Sequence, residues 1–101
     1  MTLKNVTYAN RDDDEDLNDI LNTMKNSHII FENCDFTWVS TKAFHNCQFI
    51  NCNFENVTNS TFNNCTFNSP KFYDGFRGTF YNCNISSYYG RVGERKEEKK
   101  L

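Results

Sequence analysis

The chain has 101 residues and a formal net charge of -2. A chain of this length holds one domain, and its charge excludes a generally basic nucleic-acid binder. Aromatic residues make up 16% of the sequence and ten residues are phenylalanine, so the core must be built from a few large side chains.

The first residues and the five cysteines indicate a cellular compartment. The N-terminus lacks the apolar segment of a secretory signal, and no stretch reaches the length of a membrane span. Five cysteines in a chain without an export signal are expected to be reduced thiols. We therefore predict a cytoplasmic protein that does not associate with a membrane.

Residues 1–25 combine a short strand, an acidic block and a helix. Residues 3–8 have the alternation of a strand. The acidic block consists of Asp12, Asp13, Asp14, Glu15 and Asp16. Four apolar residues then follow at the spacing of one helical stripe, namely Leu17, Ile20, Leu21 and Met24. Because acids favour a helix N-terminus, we predict a helix over 14–25 that caps the domain that follows.

From residue 26 the chain carries an 18-residue repeat. Equivalent positions hold like residues, in the sets Phe44, Phe62 and Phe80; Phe31, Phe49, Phe67 and Ile85; Phe36, Phe54 and Phe72; and Cys47, Cys65 and Cys83. Within each Cys-x-Phe phrase the two apolar residues share the inner face of a strand. One unit cannot bury its large residues alone, so successive units are expected to stack as parallel strands about 4.8 Å apart.

The repeated phrase resembles the pentapeptide-repeat proteins. It occurs as Cys34, Asp35 and Phe36, and again in residues 52–56, with the small residue two places before the central Phe. The resemblance covers about residues 29–85 and implies a right-handed parallel β-helix without catalytic residues. Coils of that family hold four pentads, whereas the spacing here is five, five and eight. A three-sided coil, as in pectate-lyase-like proteins, is therefore the alternative.

The fold predicted from these patterns is an all-β solenoid. Residues 26–90 form a right-handed parallel β-helix of about 3.5 coils, preceded by the short strand and the α-helical cap of residues 1–25. Residues 91–101 mix charges of both signs and are predicted to be a flexible tail. The whole chain is predicted to be a single domain.

No enzymatic or cofactor site is predicted. Catalysis on a β-helix requires carboxylates gathered on one wall, but the register aligns Asp35 with Asn53 and Lys71, and Glu55 with Thr37 and Tyr73, so no column concentrates acid. The cysteines lack the spacing of a zinc site. We therefore predict a protein that is not an enzyme and needs no cofactor or metal.

The predicted contact surfaces lie where the repeat is irregular. Around residues 72–78 Phe76 aligns with Ser40 and Thr58, which predicts that its ring faces outward next to Arg77. The composition of an interface hot spot is met by Trp38, Tyr73, Asp74, Phe76 and Arg77. The alternative is a bulged turn whose aromatic rings fold back onto the wall. Beyond it, Tyr88 and Tyr89 mark an uncapped last coil that could form a homodimer.

These features favour a non-catalytic protein that binds another macromolecule. Small size and an Asn- and Phe-rich composition resemble a phage- or mobile-element-encoded inhibitor of a bacterial enzyme or defence complex. Pentapeptide-repeat proteins include DNA mimics, and here residues 12–16 could play that part without direct nucleic-acid binding. The alternatives are a carbohydrate-binding or lyase-derived module, in which Trp38, Tyr73 and Phe76 stack on sugars, and a structural self-assembly protein.

Overall fold

The computed structural model describes residues 2–9 and 27–90, and the backbone of residues 96–98. These residues form an all-β parallel solenoid of about three turns, with about 18 residues per turn. In chain order its strands are β1 (Thr2–Lys4), β2 (Thr7–Ala9), β3 (Ile30–Glu32), β4 (Asp35–Ser40), β5 (Ala43–His45), β6 (Gln48–Ile50), β7 (Asn53–Asn63), β8 (Thr66–Asn68), β9 (Lys71–Phe72), β10 (Arg77–Tyr81), β11 (Asn84–Ser86), β12 (Tyr89–Gly90) and β13 (Lys96–Glu98).

The strands stack in register to form the walls of the solenoid. One sheet has the order β1-β3-β6-β8-β11, and every pair in it is parallel. In the second sheet β4 and β9 pair with the first part of β7, whereas β5 and β10 pair with its later part. The solenoid predicted from the repeat is thereby confirmed.

Residues in the left-handed conformation divide each coil into short segments. In the first complete coil they are His28, Asn33, Trp38 and Thr41, with φ between 54° and 59°. The next is Asn46, so the segments span five, five, three and five residues. The eight-residue side inferred from the sequence thus contains two left-handed residues. Asn accepts this conformation more readily than most residues, which explains its abundance at these positions.

The interior consists of stacked phenylalanine rings. Phe49 lies between Phe31 and Phe67, with ring centroids 5.1 and 4.7 Å apart. Rings from neighbouring columns meet edge to face, as Phe44 and Phe49 do at 5.5 Å. The columns predicted from the sequence are therefore those of the observed core.

The cysteines fill the interior between the rings, and all five are buried thiols. The thiol of Cys52 donates to the carbonyl oxygen of Phe31 in the preceding coil at 3.4 Å, and Cys83 makes the equivalent bond at 3.0 Å. Burial raises the pKa of the Cys52 thiol to about 12. Hydrogen bonding with Cys47 and Cys83, together with burial, raises the pKa of Cys65 well above its usual range.

The free energy of unfolding is expected to fall at alkaline pH, because a buried phenol and a buried thiol keep their protons in the folded protein. Burial also raises the pKa of Tyr8 from 10.0 to about 12, and that of Cys52 rises from 9.0 to about 12. Between about pH 9 and 12 the unfolded chain releases these protons while the folded chain retains them, so unfolding becomes favoured. The denaturant midpoint should decline across this window and decline less in a Tyr8→Phe/Cys52→Ala double variant. An equal decline in both proteins would contradict this assignment.

The N-terminal strands β1 and β2 belong to the solenoid, and they pair with β3 and β4 of its first complete coil. Leu3 pairs with Phe31 and Tyr8 pairs with Phe36, whereas in the next coil Phe31 pairs with Phe49. Leu3 and Phe31 are further apart along the chain than Phe31 and Phe49, so an insertion lies between β2 and β3. The described residues contain no helix, and the predicted helix over 14–25 lies outside them.

The C-terminal segment also differs in part from the prediction. Residues 96–98 form β13, which pairs in parallel with β10, so this part of the predicted flexible tail is a strand. Ordered pairing there extends the wall beyond the last predicted coil. In the described ranges no helix is long and apolar enough to cross a membrane.

Candidate binding surface

The outward side chains of β2, β4, β7, β9 and β12 form a continuous surface, which we call the polar wall. One column on it contains Thr7, Asp35, Asn53, Lys71 and Tyr89. The neighbouring column contains Ala9, Thr37, Glu55 and Tyr73. The columns lie side by side because alternate residues of a strand face outward while the phenylalanines face inward.

Two open clefts flank the first column of the polar wall. The larger, of about 370 Å³, is lined by Asn33, Asp35, Asn51, Asn53, Ser69 and Lys71. The smaller, of about 250 Å³, is lined by Thr7, Asp35, Phe36, Thr37, Asn53, Glu55 and Tyr73. Asp35 and Asn53 border both clefts, and the side-chain amide of Asn53 donates to the Asp35 carboxylate at 2.5 Å.

Trp38 lies at the corner beside the polar wall. Its side chain is 57% exposed, and its backbone has a φ of 54°. The equivalent residue of the next coil is Asn56, whose backbone N–H donates to the carbonyl oxygen of Asp74 one coil further on. Trp38 and Asp74 therefore share one corner with Asn56 between them.

Phe76 is interior, and the prediction that it faces a partner was wrong. It is 1% exposed, and its ring lies 4.7 Å from that of Phe72. The register between β10 and β7 shifts at this point, because Arg77 pairs with Thr58 while Gly78 pairs with Ser60. This bulge turns Phe76 into the core, so the alternative prediction was right about the bulge, but the ring is buried in the interior instead of folding back onto the wall.

The other predicted contact residues are distributed over different surfaces. Tyr73 is 41% exposed on the polar wall, whereas Asp74 and Arg77 are exposed on either side of the buried Phe76 in the chain. The acidic block, residues 12–16, lies outside the described residues. The structure therefore does not gather the predicted set into one cluster.

The tyrosines predicted to mediate self-association have different environments. Tyr89 is 64% exposed and pairs with Lys71, so it extends the polar wall. Tyr88 is 53% exposed, and its ring lies 6.3 Å from that of the buried Phe72. A homodimer through this end of the solenoid stays a prediction.

The sequence interpretation did not select the central residues of the polar wall. Asp35, Asn53 and Lys71 align in one column of the sequence, but a column that does not concentrate acid predicts no catalytic site and by itself indicates no binding site. The feature that indicates a binding surface is the presence of one acid, one amide and one base at equivalent positions of consecutive coils. Thr41, the second left-handed residue of the eight-residue side, was also missed.

The described residues contain no group of three or more His, Cys, Asp or Glu side chains arranged to hold a metal ion. Comparisons with protein-family models, with curated proteins and with solved structures find no match to this chain.

Proposed function

We propose that this protein is a non-catalytic macromolecule-binding protein that contacts a protein partner through Trp38. The supporting observation is the combination of backbone conformation and exposure at this residue. A bulky L-residue with positive φ is uncommon, and the left-handed conformation costs roughly 1–2 kcal/mol. Burial of the indole could offset that cost, yet more than half of the side chain is exposed.

The neighbouring coils indicate what the fold itself requires at this corner. Asn56 occupies the position one coil later, and Gly75, with a φ of 80°, supplies the left-handed residue after that. Either residue accepts the conformation at lower cost than tryptophan. A residue that the fold does not need, and that is strained where it stands, is best explained by an external contact.

The surroundings of Trp38 suit a protein interface. Tryptophan is enriched among residues that dominate binding energy, usually within a polar rim. Asp74 is exposed at the same corner, and Arg77 is exposed three residues further along the chain. Together they would supply charged contacts around one aromatic anchor.

In its more specific form, the proposal is that the partner is a bacterial enzyme or defence complex that this protein inhibits. DNA mimicry would require residues 12–16. Their segment joins the described fold at Ala9, which pairs with Thr37 beside Trp38. Neutralising the five acids should weaken partner binding and its salt dependence if mimicry operates. The Trp38 contact does not depend on this outcome.

We also propose that the coil is a variant of the pentapeptide-repeat type with one shortened side. Left-handed residues five, five, three and five apart support this interpretation, because three of the four segments have the length of a pentad. A right-handed path is the usual one for parallel connections of this kind.

The test is Trp38→Asn, which installs the residue of the next coil. We expect the free energy of unfolding to rise by about 1 kcal/mol, since the backbone strain is relieved, while capture of the partner from native host extract is lost. Few substitutions are expected both to raise stability and to abolish binding. The free energy of unfolding and partner capture are therefore both measured on the Trp38→Asn protein.

The matched control is Thr41→Asn, which changes the next left-handed residue of the same coil. Thr41 has a φ of 59° and aligns with Asn59, so this change should also relieve strain without removing an aromatic ring. It should raise stability and leave partner capture intact. Retained capture by Trp38→Asn, or equal loss by the two variants, would contradict the proposal.

A further inference from the structure

We infer that the polar wall carries a second binding site, for an oligosaccharide, centred on Asp35, Asn53 and Tyr73. This inference is independent of the proposed Trp38 contact, because the clefts lie among the outward columns and Trp38 lines neither of them. It concerns a different class of ligand and a different set of side chains.

Several polar side chains that line the larger cleft keep hydrogen-bonding groups that no other described residue uses. Asn53 donates to Asp35, which leaves the amide oxygen of Asn53 and the second carboxylate oxygen of Asp35 as acceptors. The side-chain amides of Asn33 and Asn51 make no hydrogen bond to other described residues. By contrast, Asn82 donates to Asn64 at 2.6 Å at another corner, where the amides satisfy one another.

These groups match the chemistry of sugar hydroxyls. Each hydroxyl both donates and accepts, so it is recognised by amide and carboxylate groups that offer both functions at close spacing. Lys71 adds three donors one coil after Asn53 in the same column. Because successive coils are about 4.8 Å apart, a linear ligand lying along the solenoid would meet a new polar group at every coil.

An aromatic platform completes the site. Tyr73 lines the smaller cleft and is 41% exposed, and Tyr89 is exposed beside Lys71 in the first column. An aromatic face can pack against the C–H face of a sugar ring while the hydroxyls bind the neighbouring polar groups. Binding sites of this kind combine an apolar surface with a few placed polar groups.

Other ligand classes fit the clefts less well. A nucleic acid requires a basic surface, whereas the lining contains Asp35 and Glu55 against the single Lys71. A peptide anchor usually enters an apolar pocket, and the side chains that line the larger cleft are all polar.

The experiment is to screen the unmodified protein against immobilised oligosaccharides and then titrate the best ligand in solution by NMR. Tyr73→Ala and Asn53→Ala should each weaken binding by about tenfold or more. Tyr81→Ala should leave it unchanged, because Tyr81 is similarly exposed, at 38%, but lines neither cleft. Circular dichroism of each variant checks that the fold is retained.

Absence of any bound oligosaccharide, or equal weakening by Tyr73→Ala and Tyr81→Ala, would overturn the inference. Binding of a polypeptide at Tyr73 in place of the sugar would overturn it as well. Trp38→Asn should bind the oligosaccharide normally, so failure of this site and failure of the proposed protein contact are distinguishable.

Discussion

Phe49→Ala is expected to destabilise the protein severely and to lower its denaturant midpoint, because it removes a central ring of the core. Phe49 is fully buried in the middle of its column, stacked between Phe31 and Phe67. Its ring also meets rings of two other columns, including Phe44 and Phe54 at 5.5 Å each. Removing a large buried aromatic costs about 3–5 kcal/mol, which is a large part of the roughly 5–15 kcal/mol that stabilises a typical domain.

The matched control is Ile85→Ala at the end of the same column. Ile85 is only half-buried and pairs with Phe67 on one side. We expect a clearly smaller loss, because fewer contacts disappear and the site can relax toward solvent. Denaturant midpoints of the two variants measure the difference. A loss at Phe49 no larger than that at Ile85 would show that stability does not depend on the continuous phenylalanine columns.

The register of the complete coils could be predicted from the sequence because burial leaves little choice there. A one-residue slip turns every phenylalanine outward, so the spacing of Phe31, Phe49 and Phe67 determines which strands pair. The N-terminal coil obeys the same rule, since Leu3 and Tyr8 match positions 31 and 36. It was missed because the insertion between β2 and β3 interrupts the period.

Phe76 shows where counting residues fails. A strict period places Gly75 in the column of Val39 and Val57, which would leave the core unfilled there. Burying a phenylalanine contributes about 2–3 kcal/mol, enough to favour a local bulge that brings the next residue inward. The bulge is compensated within the coil, because Gly78 pairs with Ser60 at the normal spacing.

The candidate sites were less predictable than the core because outward positions obey no packing rule. Polar residues of many kinds tolerate solvent, so Asp35, Asn53 and Lys71 have no periodic signature. The sequence predicts Trp38 as a contact residue because it is a tryptophan in a set typical of interface hot spots. Its alignment with Asn56 also indicates a left-handed backbone. That second property distinguishes it from an ordinary exposed aromatic.

Gly78→Ala is expected to destabilise the third coil by about 1–3 kcal/mol through overpacking. A Cβ atom at this position would lie 2.6 Å from Cζ of Phe76 and 2.9 Å from Cε2 of Phe62. Both are atoms of rings confined by the stacked core, so they cannot move aside easily. Since Gly78 does not have a positive φ, the cost comes from this steric overlap and not from the backbone conformation.

Successive coils fill this part of the core with different combinations of a large and a small residue. The second coil has the smaller Val57 followed by buried Ser60, whereas the third has the larger Phe76 followed by Gly78. Phe76→Val alone should cost stability, by less than the roughly 3–5 kcal/mol of a Phe→Ala change, because it leaves a cavity. Combined with Gly78→Ala, it removes the overlap of the added methyl group with the Phe76 ring, although the close contact with Phe62 remains.

The double variant Phe76→Val/Gly78→Ala should therefore lose less stability than the two single losses added together, by about 1–2 kcal/mol. Denaturant unfolding of the four proteins gives this coupling energy directly. Losses that add to within about 0.5 kcal/mol would mean that the glycine does not make room for the ring. A coupling of the expected sign would instead identify Gly78 as the residue that allows the bulge to bury Phe76 between the exposed Asp74 and Arg77.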